Sequence, residues 1–240
     1  MKTKLFTLAI TALAICLLGS CKKEVPTPKP PEGALSGEFT VNAQGKKVLF
    51  SKGNLYADGN KVLHFESNQY SFASSWDASH VSHFTWSSTV ADAVGNSNSG
   101  DYLFCDESHK VSVDGSDAIF YALSIDEWTY LFNNHTKIWA SVNGKNGYVI
   151  APDGFTGELA SSYTDDAALA SAGNLVFLPA SGRRYGSDFF NVGVYSIYRS
   201  STACDSDAAY DVIFARGIVN PVIDTIRDHA YGVRLITESK

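Results

Sequence analysis

The chain has 240 residues, 45% of them hydrophobic, 12% aromatic and 18% charged, with a formal net charge of −6. So much apolar and aromatic material argues against a disordered chain and leaves room for one globular domain of about 200 residues. An acidic chain whose lysines are scattered is a poor partner for nucleic acid or for an anionic membrane surface.

The N-terminus changes character three times. Met1-Lys2-Thr3-Lys4 places two positive charges ahead of an apolar run from Leu5 to Leu18, interrupted only by Thr7 and Thr11. That run is too short to cross a ~30 Å hydrocarbon core comfortably and suits the ~7–15-residue apolar region of a secretory signal. Leu18-Gly19-Ser20-Cys21 resembles a bacterial lipobox, in which small residues admit the peptidase and the cysteine thiol receives the lipid; Gly19 stands where Ala or Ser is more usual. Residues 1–20 are therefore expected to be a lipoprotein signal peptide and Cys21 the lipidated residue. An ordinary secretory signal with an incidental cysteine is the alternative. Removing the leader leaves 17 basic against 25 acidic residues, a charge of −8. Val25-Pro26-Thr27-Pro28-Lys29-Pro30-Pro31 lacks the amide donors for helix or sheet and favours extended polyproline, about 3.1 Å per residue. Residues 21–35 thus read as a tether. Cys21-Lys22-Lys23-Glu24 resembles the charged signal that sends many Bacteroidetes lipoproteins to the outer face of the outer membrane, with one acidic residue where two are usual.

Residues 36–240 read as one folded head. Glu38 to Val41, the turn Asn42-Ala43-Gln44-Gly45 and Lys47 to Ser51 predict a first hairpin; Asn54-Leu55-Tyr56, Asp58-Gly59-Asn60 and Val62 to Phe65 predict a second. Residues 73–118, rich in Ser, Asp, Gly and Asn, predict long loops pinned by Trp76, Phe84 and Trp86. Ser124-Ile125-Asp126-Glu127 is a capping box, and Ile125, Trp128, Leu131 and Phe132 behind it share one helical face. Val142 to Tyr148, through Asn143-Gly144, looks like a hairpin tip. A second short helix is predicted from Thr164-Asp165-Asp166 to Gly173. Strands follow at 175–178, 192–198, 210–214 and 231–236. Two helices among many short strands and loops predict an α+β fold.

Of the four cysteines, Cys16 departs with the leader and Cys21 is taken by the lipid. Cys105 and Cys204 remain. In an oxidising compartment they could form a disulfide, closing a loop of about 100 residues and stabilising the fold by about 4–5 kcal/mol in the chain-entropy model. Two buried thiols are the equal alternative. No CxxC occurs, so neither a redox motif nor a cysteine zinc site is indicated.

Five segments taken together resemble the Fibrobacter-type major paralogous domain that recurs in Bacteroidetes surface lipoproteins: 47–70 (KVLFSKGNLYADGNKVLHFESNQY), 123–134 (LSIDEWTYLFNN), 142–155 (VNGKNGYVIAPDGF), 172–184 (AGNLVFLPASGRR) and 231–236 (YGVRLI). The resemblance implies a C-type lectin-like fold, also seen in formylglycine-generating enzymes and bacterial adhesin tips. It further implies that the two helices pack on a twisted sheet and that the last strand lies near the first. Where relatives usually carry Gly-Tyr-Trp-Ser-Ser, this chain has Ile197-Tyr198-Arg199-Ser200-Ser201. An arginine in place of tryptophan alters either a core contact or a ligand surface.

Catalytic chemistry finds little to use. Formylglycine-generating relatives hold copper with a close cysteine pair in the C-terminal part, where this chain has Cys204 alone, and a soft metal needs more than one thiolate. His80 with His83, and Cys105 with His109, lack the tight four-ligand pairing of a zinc site, and the histidines read as solvated loop residues. Asp114-Gly115-Ser116-Asp117 and Asp205-Ser206-Asp207 do not continue into a calcium loop ending in glutamate. Neither the Glu-Pro-Asn or Gln-Pro-Asp lectin signature, GxSxG nor HExxH occurs. No metal, cofactor or nucleic acid is therefore expected. Arg183, Arg184, Tyr185, Tyr198, Arg199 and Arg216, with Phe189, gather guanidinium and aromatic groups that suit glycan or peptide recognition, although the same residues also serve packing and surface ion pairs. The expectation is a non-catalytic, lipid-anchored binding or adhesion protein on the outer membrane, displayed at the cell surface, with a glycan or protein ligand. A glycan-active surface hydrolase and a structural envelope component are the alternatives.

Overall fold

The computed structural model describes residues 29–95, 100–105, 111 and 113–239; the leader, Cys21, the tether before Lys29 and His109 lie outside the described residues. Strand β1 (Ala34–Thr40) starts two residues ahead of the expected head, because Ala34 already pairs with Ser51 and its N–H reaches the Pro31 carbonyl at 3.0 Å. The turn into β2 (Lys47–Ser51) is closed by Asn42, whose side-chain oxygen accepts the N–H groups of Gln44 and Lys46, while Gly45 supplies a φ of +83°. Asp58 repeats the device between β3 (Leu55–Asp58) and β4 (Leu63–Phe65), accepting from Asn60 and Val62.

The stretch predicted as loop contains more order than expected. It holds β5 (His80–Val81), β6 (His83–Phe84) and a one-turn helix α1 (Val90–Val94), capped by the Thr89 hydroxyl on the Asp92 N–H at 3.1 Å. The helices therefore number three among the described residues rather than two. Phe84 and Trp86 are buried anchors as expected, whereas Trp76 stays 42% exposed. After β7 (Tyr121–Ala122), helix α2 (Ile125–Asn134) forms where the capping box placed it. The Glu127 N–H donates to Ser124 Oγ and the Ser124 N–H to Glu127 Oε2, at 3.2 and 2.8 Å.

Strands β8 (Lys137–Val142) and β9 (Lys145–Ile150) meet in a two-residue turn with positive φ at both Asn143 and Gly144, the twist a tight hairpin needs. β10 (Ser162–Tyr163) precedes helix α3 (Asp166–Ser171), which Asp165 caps and which ends before Gly173 at φ +132°. The chain then runs through β11 (Val176–Pro179), β12 (Arg183–Tyr185), β13 (Asp188–Phe190), β14 (Tyr195–Ala203), β15 (Ala208–Ala215) and β16 (Ile218–Ile226). The C-terminal apolar segment is two strands, β17 (Tyr231–Gly232) and β18 (Leu235–Glu238), separated by Val233 and Arg234.

The strands assemble into sheets ordered β1-β2-β18-β7, β10-β8-β9-β11, β16-β15-β14-β17-β6 and β4-β3-β5, plus the isolated hairpin β12-β13. Most pairings are antiparallel, and with three short helices the architecture is α+β. β18 lies against β2, one strand from β1, so the first and last strands share one sheet. The main core forms around Trp128, which is fully buried with Phe50, Phe132 and Tyr198 within about 6 Å of its ring. Side chains from three of the sheets converge on this one face of α2. A second cluster holds Phe84, Trp86, Tyr102 and Phe104.

Cys105 and Cys204 are not joined by a disulfide. Cys105 packs against the second cluster, while Cys204 sits in the β14–β15 turn with its thiol beside the Tyr210 hydroxyl. The two therefore belong to different local structures, and of the two readings left open by the sequence the structure shows thiols, not a bridge.

Candidate functional site

Arg183, Arg184 and Tyr185 form one strand of a small hairpin, paired with Phe190, Phe189 and Asp188. Gly186 opens its two-residue turn at φ +60°, a backbone state that favours glycine. Since side chains alternate along a strand, Arg183, Tyr185, Asp188 and Phe190 share one face, and Arg184 and Phe189 the other.

The inner face fixes the hairpin. Arg184 is fully buried; its Nη1 donates to the Gly186 carbonyl at 2.7 Å, and its Nη2 to His83 O and Val94 O at 3.0 and 3.2 Å. Its backbone exchanges two 2.9 Å hydrogen bonds with Ala230, and its guanidinium lies 5.0 Å from the Trp76 ring. Burial lowers its pKa to about 10, so it is still a cation at neutral pH. Beneath Phe189 lies His83, whose ring meets Phe189 edge-on at 5.2 Å. Burial, reinforced by the Arg184 charge, pushes His83 down to about 3. A neutral His83 then donates from Nε2 to the Ser181 carbonyl at 3.1 Å.

The outer face is open. Tyr185 is 53% and Phe190 40% exposed. The Arg183 guanidinium stacks 5.4 Å from the Phe190 ring, and Tyr185 packs edge-on against His229 at 5.0 Å. Burial depresses the pKa of His229; Asp228 opposes that shift and Arg183 and Arg199 add to it. The result is a small aromatic platform with a cation at its edge.

The other sequence candidates lie elsewhere. Tyr198 is in the main core, its hydroxyl within 2.9 to 3.2 Å of the Asn54 amide and the Pro179 carbonyl and its ring stacked on Phe214. Arg199 is fully buried, with Nη1 2.8 Å from Asp211 Oδ2 and 3.2 Å from Thr225 Oγ1, Nη2 donating to His229 O, and its guanidinium over Tyr231 at 4.5 Å. Arg199 is therefore a core contact, not a ligand surface. Arg216 is exposed at the β15–β16 turn, next to Gly217, whose backbone meets Tyr148, and it does not join the platform. Of the six predicted ligand residues, only Arg183 and Tyr185 face solvent together on one face, with Arg184 holding them from beneath. Phe190, Asp188 and His229 complete the face and were not singled out from sequence. The Gly186-Ser187 turn signal between residues 183–185 and 188–190 could have found the first two.

Other polar clusters serve the fold. A cavity of about 750 Å³ lies along residues 152–157, and a second of about 330 Å³ adjoins it. Their charged groups engage each other: Lys47 Nζ is 3.1 Å from Glu38 and 3.9 Å from Asp153, and Asp153 accepts from Thr40 at 2.7 and 3.0 Å. His80 is not simply solvated, since its Nε2 lies 2.7 Å from Glu66 and its ring stacks on Tyr56 at 4.2 Å. Burial raises the Glu66 pKa against the opposing pull of His80. Asp114 pairs with His64 and Lys52, and Asp205 accepts the N–H groups of Asp207 and Ala208. Among the described residues, no three His, Cys, Asp or Glu side chains are grouped to hold a metal ion, and no helix is long and apolar enough to cross a membrane.

Comparison with protein-family models, curated proteins and solved structures finds no match to this chain.

Proposed function

We propose that this protein is a lipid-anchored binding protein of the outer membrane, displayed at the cell surface, whose folded head contacts an external ligand and catalyses nothing. The N-terminal sequence supports anchoring: a basic end, an apolar run, and Cys21 at its close, followed by a proline-rich spacer. The resemblance to the major paralogous domains supports a C-type lectin-like head, with which the α+β architecture and the meeting of the first and last strands agree. The observation that carries the binding reading is the outer hairpin face. Exposed Tyr185 and Phe190 lie beside a guanidinium while Arg184 fixes the strand from below, giving a rigid aromatic surface that needs little ordering on contact.

The test combines a glycan array with a cell-surface pull-down, each run on the protein and on the double variant Tyr185→Ala, Phe190→Ala. Retained ligand that the double variant loses, with an unchanged far-UV spectrum, is the expected result. Identical capture by both proteins would move the contact elsewhere, and turnover of a captured glycan would replace binding with hydrolysis. In fractionated cells, Cys21→Ala should shift the protein from the membrane to the soluble fraction.

A further inference from the structure

The polar partners on this face distinguish Arg183 from the other arginines nearby. Arg184 and Arg199 are fully buried and both direct their Nη groups to acceptors. Arg183, half buried on the outer face, makes no hydrogen bond or ion pair among the described residues; its Nε is buried without a partner, as is that of Arg199, so the difference lies in the Nη groups. Its guanidinium is held over Phe190 at 5.4 Å, so its position is set by stacking while its donors stay unused. A guanidinium carries five N–H donors in a planar fork that matches a carboxylate. Leaving such a group partly desolvated and unpaired is unfavourable, and an incoming anion removes that cost.

On the same face, exposed Asp188 lies across the hairpin from Tyr185 and carries carboxylate oxygens that accept hydrogen bonds. One ligand thus meets an aromatic surface, a carboxylate-binding fork and a hydroxyl-accepting carboxylate within one hairpin face. Resting on the binding reading above, we infer that the ligand is an acidic saccharide, a glycan whose sugar rings carry carboxylates. Its ring face stacks on Tyr185 or Phe190, its carboxylate takes the Arg183 fork, and its hydroxyls donate to Asp188. A neutral sugar offers the Arg183 fork hydroxyl acceptors but no countercharge, and a simple carboxylate anion leaves Asp188 without a donor. The chain's overall negative charge does not forbid this, because the Debye length at physiological ionic strength is about 8 Å and the fork acts at contact distance. Tyr185 and Phe190 present exposed rings on this face, against which a sugar ring can lie.

The test is calorimetric titration of the full chain in detergent with oligogalacturonate, oligoglucuronate and a sialylated trisaccharide, each also as its methyl ester, which keeps the skeleton and removes the charge. The expected result is at least one free acid bound about 10-fold or more tighter than its ester. Arg183→Met should lose that preference, Arg183→Lys should recover part of it, and Tyr185→Ala should weaken acid and ester alike. Equal affinity for acid and ester, or an acid preference that survives Arg183→Met, overturns the inference while leaving a binding protein in place. Failure of all three acids to bind also overturns it. If Tyr185-dependent capture of a protein or neutral glycan persists in that case, the wider reading stands alone; without such capture both fall.

Discussion

Replacing Arg199 with methionine keeps much of the side chain's length and removes its charge. In the folded protein this leaves Asp211, with 0% of its surface exposed, facing only the Ser200 N–H and the Thr225 hydroxyl after losing the cation at 2.8 Å. Breaking one side of a buried pair typically costs about 3–5 kcal/mol, because the remaining charge is neither hydrated nor compensated. The carbonyls of Arg227 and His229 lose a donor as well. For a chain of this size, about 2–4 °C of melting temperature accompanies each kcal/mol, so a fall of about 6–20 °C is expected. The double variant Arg199→Met, Asp211→Leu removes both charges and should recover most of the loss. Urea unfolding of the parent, Arg199→Met, Asp211→Leu and the double variant, analysed as a double-mutant cycle, measures the coupling directly. A single-variant cost below about 1 kcal/mol, or a double variant no better than Arg199→Met, would refute the buried-pair account.

Further consequences concern other parts of the molecule. His83 is held neutral down to about pH 3, whereas an unfolded histidine takes up a proton near pH 6.5. Its folded pKa is thus the lower one, so its contribution is complete above pH 6.5 and lost progressively toward pH 3. That loss amounts to about 2–3 kcal/mol between pH 7 and pH 4.5. His83→Gln should flatten this part of the urea-midpoint profile, and a variant slope equal to that of the parent would contradict the assignment. Because Cys105 and Cys204 are not bridged, dithiothreitol should leave the melting temperature within a degree, and a large drop would reveal a disulfide. Ser124→Ala removes one arm of the capping box and should cost about 1 kcal/mol in chemical denaturation; no change would mean that packing alone fixes α2.

Local chemistry made part of this fold legible. The capping box and the 3–4 spacing of Ile125, Trp128, Leu131 and Phe132 placed α2 because both signals act within one helix. Asn42 and Asp58 marked their turns because each side chain satisfies backbone N–H groups two and four residues on. The burial of Arg184 and Arg199 was not legible. Apart from the Gly186 carbonyl, their acceptors named above, on His83, Val94, Asp211 and His229, lie 12 or more residues away in sequence, so no neighbouring side chain announces the partner. Those partners turned predicted surface cations into core residues and removed them from the binding set. Strand β16 escaped notice because Pro221 interrupts it and its alternation places Ile218, Val222 and Ile226 on the exposed side, contrary to a core pattern. The site was half legible: Arg183 and Tyr185 were found by residue type, but Asp188, Phe190 and His229 join them only through pairing and loop placement.

That the outer hairpin face is where this protein meets its ligand is tested most directly on living cells by photo-crosslinking. A benzophenone side chain placed at position 185 sits on the aromatic platform; the same group at exposed position 216 sits on a separate turn. The account predicts adducts from position 185, suppressed by Phe190→Ala, with none above background from position 216. Adducts from position 216 alongside a silent position 185 would contradict it.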